Sequence, residues 1–563
     1  MKSIQLNFQN RNALITFGCF TLIFITYITG FWNDLIDFDA PQYANMSKDM
    51  FFTKSYLQVY DRGNDYLDKP PLLFWTSVLS YHIFGINDFA YRLPSFLVSI
   101  LGLYSLYRFT LLYYSKKVAV YAALIAASSQ AYFLMHHDVR TDTLLTGFIM
   151  FTMWQIATFN QTGKLKHIVL GAIGIGFAML SKGPIGLMLP VIAFGSDFIY
   201  KRNWKAFFKW QYLLVLVIVA LILAPMTYGL YMQFDMHPEI DSYYTISPSG
   251  VRFFYWTQSF GRIFGDNPVP SNFPDPFFLY HSLLWSLLPW PLIFIVAMVY
   301  DVKTKIKSFK TNYLNVEVMS TAGFIITIVM LSMSTYQLPH YTFIIHPFAA
   351  LIISNFLVNV LGSLKWKNVF IYLSVLVWVI CVSLSYYIMF VSFETSVLII
   401  IITNILFITG IVCLFKLKSE LETRIIVCGV FIVCAANYMV NTAFYKPCFK
   451  FQSDSEIAKA MNAMNVKQFS VYHTEITNSG YFYFHGKIDE LYSYKEINLD
   501  SANTSGWIMT DSIGKLQIDS VYTIKESKLF YDFPVSAITV EFLNPKTRLA
   551  QCKKNYIIKL EKK

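Results

Sequence analysis

An all-α polytopic membrane domain followed by a small mixed α/β domain is the fold class this sequence predicts, and three observations predict it. Of 563 residues, 55% are hydrophobic and 18% aromatic while only 14% are charged, and the mean hydropathy is +0.46, a profile foreign to ordinary water-soluble domains. Apolar runs of the roughly 20 residues that cross a bilayer recur from residue 13 to residue 443. Beyond residue 443 the composition turns polar and β-rich.

Taken in order, residues 12–31 read as a retained span, because too many apolar runs follow for this to be one cleavable signal peptide. Residues 71–86 are short for a crossing and contain His82. Laid along the outer interface, they leave Lys and Arg concentrated in inner loops downstream, as the positive-inside rule requires. Spans are then expected near 13–31, 92–113, 118–135, 143–160, 167–181, 184–200, 211–232, 277–299, 316–334, 341–361, 368–391, 396–415 and 424–443, about thirteen crossings by the length criterion. The inner loops hold Lys164 and Lys166, the run Lys201-Arg202-Asn203-Trp204-Lys205, Lys303 to Lys310, Lys365 and Lys367, and Lys416 to Arg424. The N-terminus is expected to be cytoplasmic. A membrane domain, 1–443, would carry outer loops 32–91 and 233–276, and a second domain, 444–563, would lie on the same outer, periplasmic side. In that tail, Ser453-Asp454-Ser455-Glu456 matches a capping box. The runs 468–472, 480–484 and 538–542 are expected as strands.

The net charge of +11 does not indicate nucleic acid, since the basic residues lie in short loops and form no stripe on a soluble face. Seven cysteines show no metal-ligand spacing. Cys19, Cys381, Cys413, Cys428 and Cys434 fall in apolar runs and suit packing. Cys448 and Cys552, which bracket the tail, are the pair that suits a disulfide. No nucleotide-binding glycine loop occurs.

Ionisable groups at membrane depth are costly and mark function. On the outer side these are Asp39, Lys69, Asp142, Lys182 and Arg262. Asp39, in Asp37-Phe38-Asp39-Ala40-Pro41-Gln42-Tyr43-Ala44, is placed to take a proton from a hydroxyl, or else to cap a helix. Lys69, after Asp68 and before Pro70-Pro71, presents an ammonium suited to phosphate. Asp142 follows His136-His137-Asp138-Val139-Arg140-Thr141 and either caps a helix or faces the site. Lys182 lies at a short outer turn, and Arg262 in the second large loop. A carboxylate base with several cations beside a bilayer fits a lipid-borne phosphate as leaving group.

These residues resemble a known group, the polyprenyl-phosphate-sugar-dependent glycosyltransferases of GT-C architecture in the protein mannosyltransferase superfamily, and among them the aminoarabinose transferases acting on lipid A. The family pattern Asp-Glu-x-Arg-Tyr-Ala is similar to residues 39–44, with Lys48-Asp49-Met50 after it, and Glu-Lys-Pro-Pro-Leu is similar to Asp68-Lys69-Pro70-Pro71-Leu72. Arg92-Leu93-Pro94, Asp142-Thr143, Ser181-Lys182-Gly183, Leu288-Pro289-Trp290 and residues 334–341, ending in Tyr341, resemble later signatures. The resemblance implies a catalytic role for Asp39. It implies contacts to carrier phosphate or substrate for Lys69 and Arg262, and for Lys182, Gln42, Tyr43, Asp68, Asp142 and Tyr341. Against the family pattern, Ala40 replaces a glutamate, Gln42 an arginine, and Thr335 and Gln337 lysines, while Gln258 stands where glutamate is common.

The function so implied is inverting transfer of a sugar from an undecaprenyl-phosphate carrier to a lipid A, glycan or protein acceptor at the periplasmic face of a bacterial inner membrane. No cofactor is certain, and a divalent metal stays open without a ligand cluster to support it. A lipid or solute transporter or flippase without covalent transfer is the alternative class. Transporters, however, usually place such residues near the bilayer midplane.

Overall fold

The computed structural model describes residues 2–237, 239, 248–261, 275–334, 336–497 and 506–561. The chain is a multi-pass helical bundle with a small sheet domain at its C-terminal end. Its helices are α1 (Lys2–Ile28), α2 (Asp39–Thr53), α3 (Leu72–Phe84), α4 (Asp88–Leu111), α5 (Lys116–Ala127), α6 (Gln130–His137), α7 (Thr141–Thr162), α8 (Leu165–Lys182), α9 (Ile185–Tyr200) and α10 (Gln211–Leu230), followed by α11 (Phe278–Ser286), α12 (Pro291–Thr311), α13 (Met319–Ser332), α14 (His346–Asn359), α15 (Val369–Tyr387), α16 (Val397–Lys416) and α17 (Leu421–Met439). Among the described residues eight helical segments are long and apolar enough to cross a membrane, or up to ten if each of two bent pairs counts as one span. The other expected spans fall on the shorter α9 and α13 and on α7, 22 residues long and rich in Thr and Gln. Residues 71–86 form α3, 13 residues long.

Local chemistry sets the helix ends. Asn87 caps α4 through a bond from the Ala90 amide, 2.9 Å, and Ser115 accepts from the Val118 amide at the start of α5. Where α4 crosses α7 the backbones meet at glycines: a Cβ on Gly147 would stand 2.5 Å from the Val98 carbonyl oxygen, and one on Gly102 would stand 2.9 Å from the Gly147 Cα. Small residues of this kind let membrane helices pack at close range.

The expected span 118–135 is bent by 54° between α5 and α6, and 277–299 by 116° between α11 and α12. The second of these corrects the expectation of one straight crossing. Pro289 supplies no N–H and cannot continue a helix. The two breaks lie against each other, because the Gln130 amide donates to the Leu288 carbonyl, 2.9 Å, and the Trp290 indole donates to the Ser128 hydroxyl, 3.2 Å. Polar backbone released by one break is thereby satisfied at the other, which a bilayer demands.

The tail comprises α18 (Ser453–Ala463), β3 (Gln468–Tyr472), α19 (Asn478–Tyr483), β4 (Lys487–Leu491), β5 (Trp507–Asp511), α20 (Ser512–Asp519), β6 (Thr523–Asp532) and β7 (Lys553–Glu561). Residues 60–65 form a hairpin of β1 (Tyr60–Asp61) and β2 (Asn64–Asp65), and the tail's sheet runs β4-β3-β5-β7-β6. β3 is parallel to β4 and β5, and β7 is antiparallel to β5 and β6. Ile457, Met461, Phe469, Val471, Met509 and Ile557 fill the core on one face.

The strand expected at 468–472 is present, but two others are not. Residues 480–484 lie largely in α19. There the Lys48 ammonium gathers the carbonyls of Tyr481, Phe482 and Phe484 at 2.8, 3.1 and 2.9 Å, and Phe482 packs with Tyr43 and Met46 of α2, so tertiary contacts override the aromatic β-propensity. Residues 540–543 form a single helical turn, started by Thr539, whose hydroxyl accepts from the Phe542 amide. The capping box does not form either. Gln452 precedes α18 without a side-chain cap, while Ser453 donates to Asp454 and Asp532. Nor are Cys448 and Cys552 bonded, as both are free. Cys448 is buried among Phe449, Phe533 and Phe542, and the Cys552 thiol donates to the Arg548 carbonyl.

Candidate active site

One cavity of about 1920 Å³ lies between the bundle and the sheet domain. The basic loops expected inside gather at the opposite end of the bundle, where Lys117 pairs with Glu422 at 2.6 Å and the Arg202 guanidinium covers the Phe309 ring at 5.5 Å. α7 and α8 span the two ends, with Asp142 in the first turn of one and Lys182 in the last turn of the other.

The backbone that carries the site is braced by Arg92, which is buried. Its guanidinium donates to the carbonyls of His137 (3.1 Å), Phe31 (3.0 Å), Asn33 (2.6 Å) and Asp34 (3.1 Å), so its desolvated charge is fully partnered. The same residue thereby holds the segment leading to Asp39 and the one leading to Arg140. At the far end of α8, Gly183 has φ +80°, a left-handed conformation that glycine adopts without penalty. The chain reverses there directly after Lys182.

Asp39 opens α2, but the residue preceding the helix is Phe38 and no side chain caps it. The Asp39 carboxylate instead receives the Arg140 guanidinium through Oδ2, and Arg140 also holds Asp138 at 2.7 Å. Asp142 likewise does not cap α7. It accepts from the Lys182 ammonium at 2.6 Å and lies 3.8 Å from Nε2 of His340, while Lys182 stands 4.3 Å from the centre of the Tyr341 ring. Lys69 pairs with Asp68. The three cations are thus each matched to a carboxylate within one cavity.

The departures from the family pattern find partners. Gln42 donates to Asp61 at 2.8 Å. Gln258 donates to the Asp68 carbonyl and to its carboxylate, the latter at 3.3 Å, a contact that a glutamate would turn into repulsion. Gln337 donates to the Ser332 carbonyl at 2.9 Å. Ala40 is fully buried.

Asp39, Gln42, Tyr43, Asp68, Lys69, Asp142, Lys182 and Tyr341 therefore line one cavity. Arg262 and Thr335 lie outside the described residues. Arg140 and His340 also line it, and residue chemistry alone did not single them out. Their signal was position, within the string before Asp142 and within the signature ending in Tyr341. Among the described residues no group of three or more His, Cys, Asp or Glu side chains is gathered to hold a metal ion.

Comparison with known proteins agrees with this architecture. Residues 68–228 match the family model described as dolichyl-phosphate-mannose-protein mannosyltransferase. The undecaprenyl phosphate-alpha-4-amino-4-deoxy-L-arabinose arabinosyl transferase of Edwardsiella ictaluri is 27% identical over 266 residues, which cover 45% of this chain and 44% of that protein. The chain thus spans under half the length of that relative. The crystal structure of ArnT from Cupriavidus metallidurans bound to undecaprenyl phosphate superposes with TM-score 0.73 at 14% identity, covering 97% of both chains. The apo form gives 0.70 with 98% coverage of both. Over nearly its whole length the chain thus shares the fold of the ArnT structures, over residues 68–228 its sequence is similar to the mannosyltransferase family model, and over 266 residues it is similar to an aminoarabinose transferase.

Proposed function

We propose that this protein is an inverting glycosyltransferase of the bacterial inner membrane. It would take a sugar from an undecaprenyl-phosphate carrier and pass it to a lipid, glycan or protein acceptor on the periplasmic face. The observation that carries this reading is the single cavity in which Asp39, Lys69, Asp142 and Lys182 meet at the ends of membrane helices, where a lipid phosphate arrives by lateral diffusion. Lys69 and Lys182, joined by Arg262 as the family resemblance implies, would supply positive charge to the departing phosphate, and preorganised charge of this kind is the largest common source of rate enhancement. Arg140 engages Oδ2 of Asp39 and leaves Oδ1 to take the acceptor proton as general base. Tyr43, Asp68, Gln42 and Tyr341 shape the surrounding wall.

The test is transfer by the purified protein from polyprenyl-phosphate sugars in proteoliposomes. Asp39→Asn keeps the shape and removes the base, so transfer should fall by roughly 10²-fold or more while undecaprenyl phosphate still binds. Full turnover by that variant would rule out the base role. Labelled sugar crossing the vesicle without any covalent product would replace the transferase reading with transport.

A further inference from the structure

At the end of the bundle opposite the cavity, α4 and α7 finish beside the starts of α8 and α10, and one group of cations there lacks carboxylate partners. Lys117, Lys201 and Lys305 on the same face are matched to acids at 2.6, 2.9 and 2.8 Å. Among the described residues Arg108, Lys164, Lys166, Lys205 and Lys209 make no ion pair. Arg108 instead lies over the Trp154 ring at 4.8 Å and donates to the Tyr104 hydroxyl at 2.8 Å. Lys209 donates to Oδ1 of Asn160 at 2.9 Å, with the Phe159 ring centre 5.0 Å away. His167, bonded to Gln155 at 2.8 Å, shows how closely the group gathers, because Lys166, Lys164 and Arg108 are the charges that bear on its imidazole. The segment joining α9 to α10 adds an independent, apolar feature. Trp204–Phe208 is a short 3₁₀ turn in which Ala206 alone is buried, and Phe208 and Trp210 are 87% and 63% exposed. From there Leu213, Leu216, Val217 and Leu221 leave an apolar stripe of α10 uncovered.

We propose that this corner binds an anionic phospholipid of the adjoining leaflet, with the phosphate seated among Lys164, Lys166 and Lys209 and the acyl chains lying along the α10 stripe. Arg108 adds to the positive field around the headgroup. Unmatched ammonium groups near a membrane surface each favour anionic lipid by about 1 kcal/mol. A zwitterionic headgroup brings its own ammonium and cancels part of that gain. The exposed aromatics sit where aromatic side chains anchor at the boundary between headgroups and hydrocarbon. An acidic protein would match the cations but leave Phe208, Trp210 and the α10 stripe without an apolar partner, whereas a lipid supplies phosphate and hydrocarbon together. The corner lies at the far ends of α7 and α8 from Asp142 and Lys182, so it is independent of the transferase reading.

The experiment is native mass spectrometry of the full-length protein in neutral detergent with equal amounts of phosphatidylglycerol and phosphatidylethanolamine carrying the same acyl chains. Phosphatidylglycerol should be retained in preference by roughly tenfold or more. Lys164→Gln combined with Lys166→Gln should abolish most of that preference, and Lys209→Gln should lower it in part. The first pair is exposed, so the melting temperature in lipid-free detergent should not move; if it falls, Lys209→Gln alone decides. Lys365→Gln combined with Lys367→Gln removes the same charge from exposed positions elsewhere on that face and should leave the preference intact. Equal retention of the two lipids overturns the proposal, as does a preference that neither site variant lowers. An equal loss in the Lys365 and Lys367 variant overturns it in favour of general surface charge, and displacement of the lipid by excess glycerol 3-phosphate overturns it in favour of a soluble anion.

Discussion

Lys69, Arg140 and Lys182 reach the cavity already paired, with Asp68, Asp39 and Asp142 respectively. On the transferase reading, an entering phosphate would therefore exchange counter-ions and would not neutralise bare charge. Such exchange keeps the empty site from carrying a large desolvation cost, and it makes each cation's contribution a difference between two partners. Lys69→Ala should weaken undecaprenyl phosphate binding by roughly tenfold, the scale of one charge-assisted hydrogen bond, as read by native mass spectrometry. Unchanged binding would remove Lys69 from the phosphate site. Asp39, Lys69, Asp142 and Lys182 were legible in the sequence because charge is conspicuous against apolar runs. Arg140 was not, because its partner Asp39 lies 101 residues away and nothing local announces the pairing. His340 was hidden in the same way beside a distant Asp142.

At the level of elements, the apolar runs announced most helices, and the structure adds what periodicity cannot carry. Length and hydropathy do not reveal that 277–299 turns by 116°, although Pro289 gave the local reason. In the tail, alternating aromatics read as a strand at 480–484, and the decisive contact, Lys48 on three carbonyls, comes from α2 more than four hundred residues earlier. Close helix packing is equally invisible in a single sequence. The approach of α4 to α7 makes Gly147→Ala an overpacking substitution against backbone, which should cost about 1–3 kcal/mol. A lower melting temperature in detergent is the expected reading, and an unchanged one would mean that the two helices can part without loss.

Across the whole molecule, the segment from the end of α1 through α2 is bonded to the sheet domain at several points. The Asn45 amide donates to the Asn478 carbonyl at 2.7 Å, Ser479 donates to Asp37 at 2.9 Å, and Lys459 pairs with Asp34. Beneath this joint lies Asp454, buried and facing Asp532, with bonds from the Thr477 amide and the Ser453 hydroxyl. Burial first, and the neighbouring Asp532 second, push its carboxyl up to about 7. The folded state therefore holds a proton that the unfolded chain releases near 3.8, so this group's stabilising contribution is whole below that pH and is lost as pH rises through about 7. The Asp454 contribution to the melting temperature should fall from about pH 4 to about pH 7 and level off above, and Asp454→Asn should flatten that fall. Equal slopes would remove Asp454 as the cause.

The paired breaks in the bundle bear on how the protein is made. The Gln130 amide finds its acceptor in Leu288, which leaves the ribosome only after α7 to α10 have been synthesised. Until then, the bend between α5 and α6 carries a donor that lipid cannot satisfy. The bend between α5 and α6 therefore depends on a distant part of the chain, and a chain truncated before α11 should melt at a lower temperature in detergent than the full-length protein; an unchanged melting temperature would mean the bend is satisfied without Leu288.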